Sequence, residues 1–512
     1  MTSLSAPTAL SATTAPPRAG RREWSALAVL MLPVLLVAID GTVLDFAIPS
    51  MSMALKPSAN ELLWIIDVYP LVLAGLLVSM GSLADRIGRR RLLLIGSLGF
   101  TIVSVFAAFA PTAGALITAR ALLGFFGAML MPSTLSLLRN TFADATQRRT
   151  AVAIWAACFS GGAALGPIVG GFLLENFWWG SVFLLSVPVL IPLLVLGPIF
   201  LRESKDPNPG RIDPVSIVLS FAAMVPAVFA IKMLAQEGFT VTGLAMLVGG
   251  LALGVLFVRR QLRRSSPMLD VRLFHNPVFS GAVLVNLLSV FSLVGFLYYV
   301  SQHLQLVAGQ SPTQAAFTLV PGLVISIVTG LLAAPLSRRI RPASLVAAGL
   351  SLNALGFGAV MFNSSGSVAG LMVAFALLGA GVGMAETISN DLILSAAPPA
   401  KAGAASAISE TAYEVGVVLG TAVLGSLLAA AYRANVVLPD ALTGADRESA
   451  GQTLGGAIDA ASTLPAGPAE ALIASAKHAF DSGSGVVAAV GVVLMVLTAI
   501  MSLATLRKVK AA

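Results

Sequence analysis

Eight ionisable residues fall inside stretches that otherwise have the composition of membrane-spanning helices: Asp40, Asp45, Asp67, Arg120, Glu386, Asp391, Glu410 and Glu414. A charge at the centre of such a helix costs about 2.5–3.5 kcal/mol on insertion scales, so it persists where it faces a polar cavity and has work to do. Seven of the eight are acids, the chemistry that holds a cation or a proton. Glu410 and Glu414 are four residues apart and share one helix face, with Tyr413 beside them. Two carboxylates at that spacing repel, and at least one is expected to keep a proton near neutrality. Asp40 and Asp45 stand roughly 140° apart around a helix, so they cannot both face one narrow site. Asp67 follows Trp64 and precedes Tyr69, and an acid among aromatic rings suits a lipophilic cation. Arg120 cannot shed its charge and can only shift the proton affinity of a nearby acid, for which Asp40 is the candidate. Glu386 lies deep enough to add a carboxylate, whereas Asp391 lies close to the inner end of its span, where a structural role at the membrane face and a role in transport are both open.

The elements that must position these groups follow from composition. The 512-residue chain is 57% apolar and 11% charged, against about 25% charged in soluble proteins. Fourteen apolar segments reach helical spanning length, at approximately 25–48, 61–83, 92–110, 113–138, 150–173, 179–200, 213–235, 240–258, 278–306, 312–336, 343–362, 368–394, 403–430 and 485–506. An even count puts both termini on one side. With that side cytoplasmic, 25 of the 31 Lys and Arg residues fall inside, only Lys56, Arg433, Arg447 and Lys477 outside, and Arg120 and Lys232 within spans. That asymmetry supports both count and orientation, and makes the net charge of +8 a topology signal rather than a nucleic-acid footprint. The expected organisation is a disordered cytoplasmic tail (1–23), a six-helix half (24–200), a linker with two inserted helices (201–276), a second six-helix half (277–506) and a short tail (507–512). Within the second half, residues 431–484 form a long outer loop. Its Pro468–Phe480 stretch carries Leu472, Ile473, Ala476 and Phe480 at helical spacing, which predicts a short amphipathic helix on the outer face. One cysteine, Cys158, excludes an internal disulfide, and three scattered histidines offer no metal-ligand spacing. No cofactor or metal is expected. With no GxxxxGK[ST] loop, nucleotide hydrolysis is not expected either.

Local motifs narrow the reading. The loop after span 2 reads GSLADRIGRRR, in which Gly81 and Gly88 allow a tight turn, Asp85 can cap a helix or pair with a neighbour, and Arg86 and Arg89 hold the loop inside. A degenerate copy, GLLAAPLSRRIRP, follows span 10. Span 4 carries ITARALLGFFGAMLMPS around Arg120. Span 5 carries SGGAALGPIVGG, where Gly162, Gly166 and Gly170 form a small-residue stripe and Pro167 can kink the helix.

Together these features resemble the major facilitator superfamily. ELLWIIDVYPLVLAG, PMLDVRLF and ASAISETAYEVGVVLGTAVLG are similar to its fourteen-span drug:proton antiporters, of the QacA, SmvA and LfrA type, with ESKDPNPG and DPVSIVLSF most like the LfrA type. The resemblance implies an all-α membrane protein of major facilitator fold, with 14 transmembrane helices in two halves plus an inserted central pair. It implies a transporter and not an enzyme: a multi-pass plasma-membrane pump, expected to be monomeric, that exports lipophilic cations such as ethidium, acriflavine-like dyes, quaternary ammonium biocides and fluoroquinolones in exchange for protons. By the same resemblance Asp40, Arg120, Glu410 and Glu414 handle the proton and Asp67 does proton or substrate work; Trp64, Tyr69 and Tyr413 beside these acids, and Glu386, which departs from that type's pattern, are expected to meet the drug. Gly81, Asp85, Arg86, Gly88, Arg89, Gly162, Gly166, Pro167 and Gly170 serve the conformational change. Ser409 and Ser326 stand where that type carries acids, which argues against efficient export of dications. The alternative cargo is an endogenous metabolite, lipid or antibiotic carried on the same fold.

Overall fold

The computed structural model describes residues 18–205, 213–265, 267–363, 367–398, 401–507 and 509. Most of the expected N-terminal tail, the Pro-rich centre of the 201–213 segment, and Lys508 and Lys510 lie outside the described residues. Among the described residues fourteen helices are long and apolar enough to cross a membrane. They are α1 (Arg21–Leu55), α2 (Ala59–Ile87), α3 (Arg89–Ala108), α4 (Ala113–Thr141), α5 (Thr146–Asn176), α6 (Ser181–Phe200), α7 (Pro214–Leu234), α8 (Val241–Arg263), α9 (Pro277–Val307), α10 (Pro312–Leu336), α11 (Pro342–Phe362), α12 (Val368–Ala396), α13 (Ala404–Asn435) and α14 (Ala466–Thr505). Helices are the form in which an apolar chain satisfies its backbone within each segment, and their starts are written in capping residues. Ser58 and Ser311 open α2 and α10 with capping boxes closed by Glu61 and Gln314. Asp144, Asp213 and Ser367 each accept a backbone N–H at the start of α5, α7 and α12.

The helices form two six-membered halves, α1–α6 and α9–α14, with α7 and α8 packed together as an inserted pair. Exposed Ile95, Leu98 and Ile102 on α3, Leu251 and Val255 on α8, and Val493 and Leu497 on α14 give the bundle its apolar outer surface. Some helices are less regular than the sequence suggests, α9 among them, which ends in a π-type turn at His303–Val307. The α4 helix is interrupted at Ala128–Met129, between Gly127 and Leu130, and α13 contains a wide π-type turn at Thr421–Gly425. The predicted amphipathic helix at Pro468–Phe480 is not a separate element. It is the first part of the 40-residue α14, and Leu472, Ala476 and Phe480 are buried beneath the long loop. Helical periodicity cannot distinguish a short helix from the extension of the next one when no breaker intervenes; Gly483 and Gly485 are both helical.

The two ends of the bundle differ. At the basic end the loop after α2 is tied to the segment after α6, and Ala19 hydrogen-bonds Gln147. At the other end, two short helices, Gly444–Gln452 and Leu454–Ala461, cover the bundle, and Lys56 pairs with Asp459 at 2.8 Å. The halves are fastened there: Gln305 donates to the Phe46 carbonyl at 3.2 Å, and the Ser311 hydroxyl donates to Glu175 at 3.4 Å. At the basic end, among the described residues, no hydrogen bond or ion pair joins the α2–α3 or α4–α5 loops to those of the second half. The cleft between the halves is therefore closed at the loop-covered end and unfastened at the basic end.

Candidate functional site

The intramembrane charges sort into two groups with different chemistry. The first group is paired. Arg120 on α4 reaches Asp40 on α1 at 3.1 Å, as the sequence suggested, with both side chains almost fully buried. Its guanidinium also donates to the Ile65 carbonyl at 3.1 Å and lies 4.6 Å from the centre of the Tyr69 ring. That fork uses the planar geometry a lysine lacks. Asp67 on α2 is paired as well: the Lys232 ammonium of α7 stands 2.8 Å from its carboxylate and 4.0 Å from the Trp64 ring. Trp64, Asp67 and Tyr69 were expected to hold a drug cation. In this structure both aromatic faces hold cations of the chain itself, because Lys232, 165 residues from Asp67 in sequence, folds back onto it. Asp45 is buried within electrostatic range of Arg120 and Asp67.

The second group has no basic partner. Glu386 on α12 and Glu410 and Glu414 on α13 interact electrostatically with one another and with Tyr413. Among the described residues none of the three carries an ion pair or a side-chain hydrogen bond. All three, with Tyr413, keep partial exposure although they lie inside spans, and Tyr413 reaches α5 of the first half. Facing them from the first half, Trp155 and Phe159 of α5 stack at 6.2 Å with 9° between their planes, and Phe159 meets Tyr413 edge-on at 6.3 Å. One side chain lies within electrostatic range of both groups. The Tyr69 hydroxyl, buried and without a hydrogen bond among the described residues, lies in electrostatic range of Asp40, Arg120 and Glu414. Tyr298 and Tyr299, by contrast, are core residues; Tyr299 stacks on Phe480 at 5.9 Å. Asp391 is exposed near the basic end of α12, and Ser409 donates to its neighbour Asn390 at 2.9 Å.

The motif residues build the scaffold around this cleft. Asp85 accepts two bonds from Arg89, at 2.9 and 2.7 Å. Gly88 adopts φ +118°, a conformation that favours glycine, and a Cβ there would lie 2.7 Å from Glu203. Glu203, which the motif reading did not include, accepts from the backbone N–H groups of Arg90 and Arg91 and so caps α3 from the segment after the neighbouring α6. Gly81 packs loosely against Pro132, and Arg86 is exposed. On α5, Gly162 faces Ala38 and the Leu35 carbonyl, Gly166 faces Thr42 and the Ile39 carbonyl, and Gly170 faces Val43, so the small-residue stripe lies flush on α1. Pro167 follows within the same continuous helix.

The pattern of the Major Facilitator Superfamily matches residues 30–421. The chain belongs to this superfamily. It is 53% identical over 493 residues to the multidrug efflux pump LfrA of Mycolicibacterium smegmatis, covering 96% of this chain and 98% of that one. It is 39% identical to the methyl viologen resistance protein SmvA of Salmonella typhimurium, over 90% and 93% of the two chains. The tetracenomycin C resistance and export protein of Streptomyces glaucescens is 32% identical, over 94% and 91%. Among solved structures, a bacterial homologue of the lysosomal transporter Spinster, in its inward-facing and unoccupied conformation, superposes with TM-score 0.67 at 17% identity, covering 95% and 98%. The major facilitator fold, the fourteen spans and the character of a multi-pass membrane transporter rather than an enzyme follow. The efflux-pump relatives extend over nearly the whole chain, so drug efflux is the function to which the cleft must answer.

Proposed function

We propose that the protein is a proton-coupled antiporter that expels lipophilic cations from the cytoplasm by alternating access, the basic end and both termini facing inward. The observation that carries this reading is the unpaired trio Glu386, Glu410 and Glu414 opposite the Trp155–Phe159–Tyr413 rings. Carboxylates in a low-dielectric wall attract a cation strongly, and ring faces accept its apolar body and add to the attraction. A proton and a drug cation then compete for the same oxygens. Protons arriving from outside neutralise the carboxylates and discharge the drug; their loss to the cytoplasm restores a negative site for the next cation. Asp40, held by Arg120 and linked through Tyr69 to Glu414, carries the proton signal between the halves. The linker and inserted pair, residues 201–276, ride between the two halves, and the protein works as a monomer.

The test is ethidium added to energised proteoliposomes while a preformed pH gradient is followed. Drug-dependent proton release is expected in the native protein and is lost in Asp40→Asn and in Glu410→Gln, both of which insert normally. Normal exchange in both variants would remove this site from the mechanism. The same assay run with cationic, neutral and zwitterionic compounds separates the drug pump from a metabolite exporter, which would respond to none of the lipophilic cations.

A further inference from the structure

Lys232 and Asp67 are among the most deeply buried charges of the molecule, 1% and 0% exposed at their side chains. Their contact is short, 2.8 Å, and it takes both charges out of solvent. Two helices could be joined at lower desolvation cost by apolar side chains of similar volume. The surroundings of the ammonium are those of a cation site. The Trp64 ring lies 4.0 Å from it and is backed by Phe229 of α7 at 6.3 Å, and the Thr421 hydroxyl of α13 adjoins the carboxylate. Leu71, Val228, Val418 and Ala422 form one apolar cluster against which Trp64 packs, so that α7 lies over the seam where α2 of one half meets α13 of the other.

We propose that Asp67 and Trp64 form a cation seat on the seam between the halves, which Lys232 fills from within and thereby closes to external cations. The seat takes a small alkylammonium or quaternary ammonium group when the lysine is removed. This assignment does not depend on which compounds the pump carries, so it can fail while the efflux reading stands, and the reverse.

The test uses the full-length protein purified in detergent, with tetramethylammonium as the probe and melting temperature as the readout. Lys232→Ala should show a saturable rise in melting temperature with tetramethylammonium that the native protein lacks. Adding Asp67→Asn should abolish the rise, and adding Trp64→Leu should weaken the apparent affinity several-fold. Lys232→Arg, which refills the seat, should behave as the native protein. A folded Lys232→Ala protein that ignores the cation, or one whose response survives Asp67→Asn, overturns the proposal. Should Lys232→Ala fold poorly on its own, recovery of monodisperse protein is measured with tetramethylammonium present throughout and, separately, with Asp67→Asn added. Recovery by both supports the seat, because either fills or discharges the orphaned carboxylate; failure of either overturns it.

Discussion

At the scale of single residues, the decisive contrast is between acids that own a counter-ion and acids that do not. Arg120 holds Asp40, a backbone carbonyl and the Tyr69 ring at once, so its loss strands a buried carboxylate. Arg120→Ala is expected to lower stability by about 3–5 kcal/mol, the usual cost of breaking a buried pair from one side. Arg120→Lys keeps the charge but loses the fork, and is expected to fold and to transport poorly. Thermal unfolding alongside the proton-release assay distinguishes the two effects. Glu410→Gln carries the opposite expectation. It removes a charge that nothing neutralises, so the variant should be at least as stable as the native protein while losing drug-for-proton exchange. A variant that both unfolds and stops transporting would mark Glu410 as structural.

At the scale of helices, close approach is bounded by glycine. A Cβ at Gly166 would fall on the Thr42 hydroxyl and 3.1 Å from the Ile39 carbonyl, where α1 cannot yield without moving as a whole. Gly161, five residues earlier, has nothing within 4 Å. Gly166→Leu should therefore abolish recovery of folded protein, whereas Gly161→Ala should be neutral or stabilising; overpacking costs about 1–3 kcal/mol even in forgiving cores. Equal recovery of the two would show that α5 is not seated on α1 as described. At the basic end, the start of α7 is held by a different device. Burial raises the proton affinity of Asp213, but hydrogen bonds from Arg260, Arg264 and Ser216 outweigh it and hold the carboxyl far below its usual range. A depressed carboxyl contributes stability that is complete above its unfolded value, about 3.9, and is lost only as pH falls toward the bound value. Asp213→Asn should thus lower the melting temperature by the same amount at pH 6 and pH 8. A loss that depended on pH across that range would mean the arginine contacts are not formed.

At the scale of the whole molecule, alternating access requires that one closed end open as the other closes. The loop-covered end is shut partly by backbone contact: a Cβ on Gly171 of α5 would lie 2.8 Å from Thr313 and 2.9 Å from the Pro312 carbonyl of α10. Gly171→Leu is expected to wedge these helices apart and shift the population toward opening at that end. With the sole cysteine removed by Cys158→Ser, a reporter cysteine at Ser311 should then react several-fold faster with an impermeant maleimide applied from outside. An unchanged rate would place the closing contacts elsewhere, for instance at the Gln305 bond to Phe46.

The parts of this molecule that the sequence determined by itself are those set by local physics. Hydropathy over about 20 residues fixes which segments can span, since each helix satisfies its own backbone; the fourteen expected spans are present. Spacing of four residues puts Glu410 and Glu414 on one face wherever the helix goes. The Asp85–Arg89 pair is likewise one turn apart and needs no tertiary contact. What lies far apart along the chain was decided only by the fold. Glu203 caps α3 from 113 residues away, and α14 runs straight through the stretch that resembled a separate outer helix. The sharpest case is Asp67 between Trp64 and Tyr69. Composition showed a place suited to a cation, but not whose cation, because the cost of burying a charge is settled by whichever partner the packing of helices brings within reach. Here that partner is Lys232, carried in on α7.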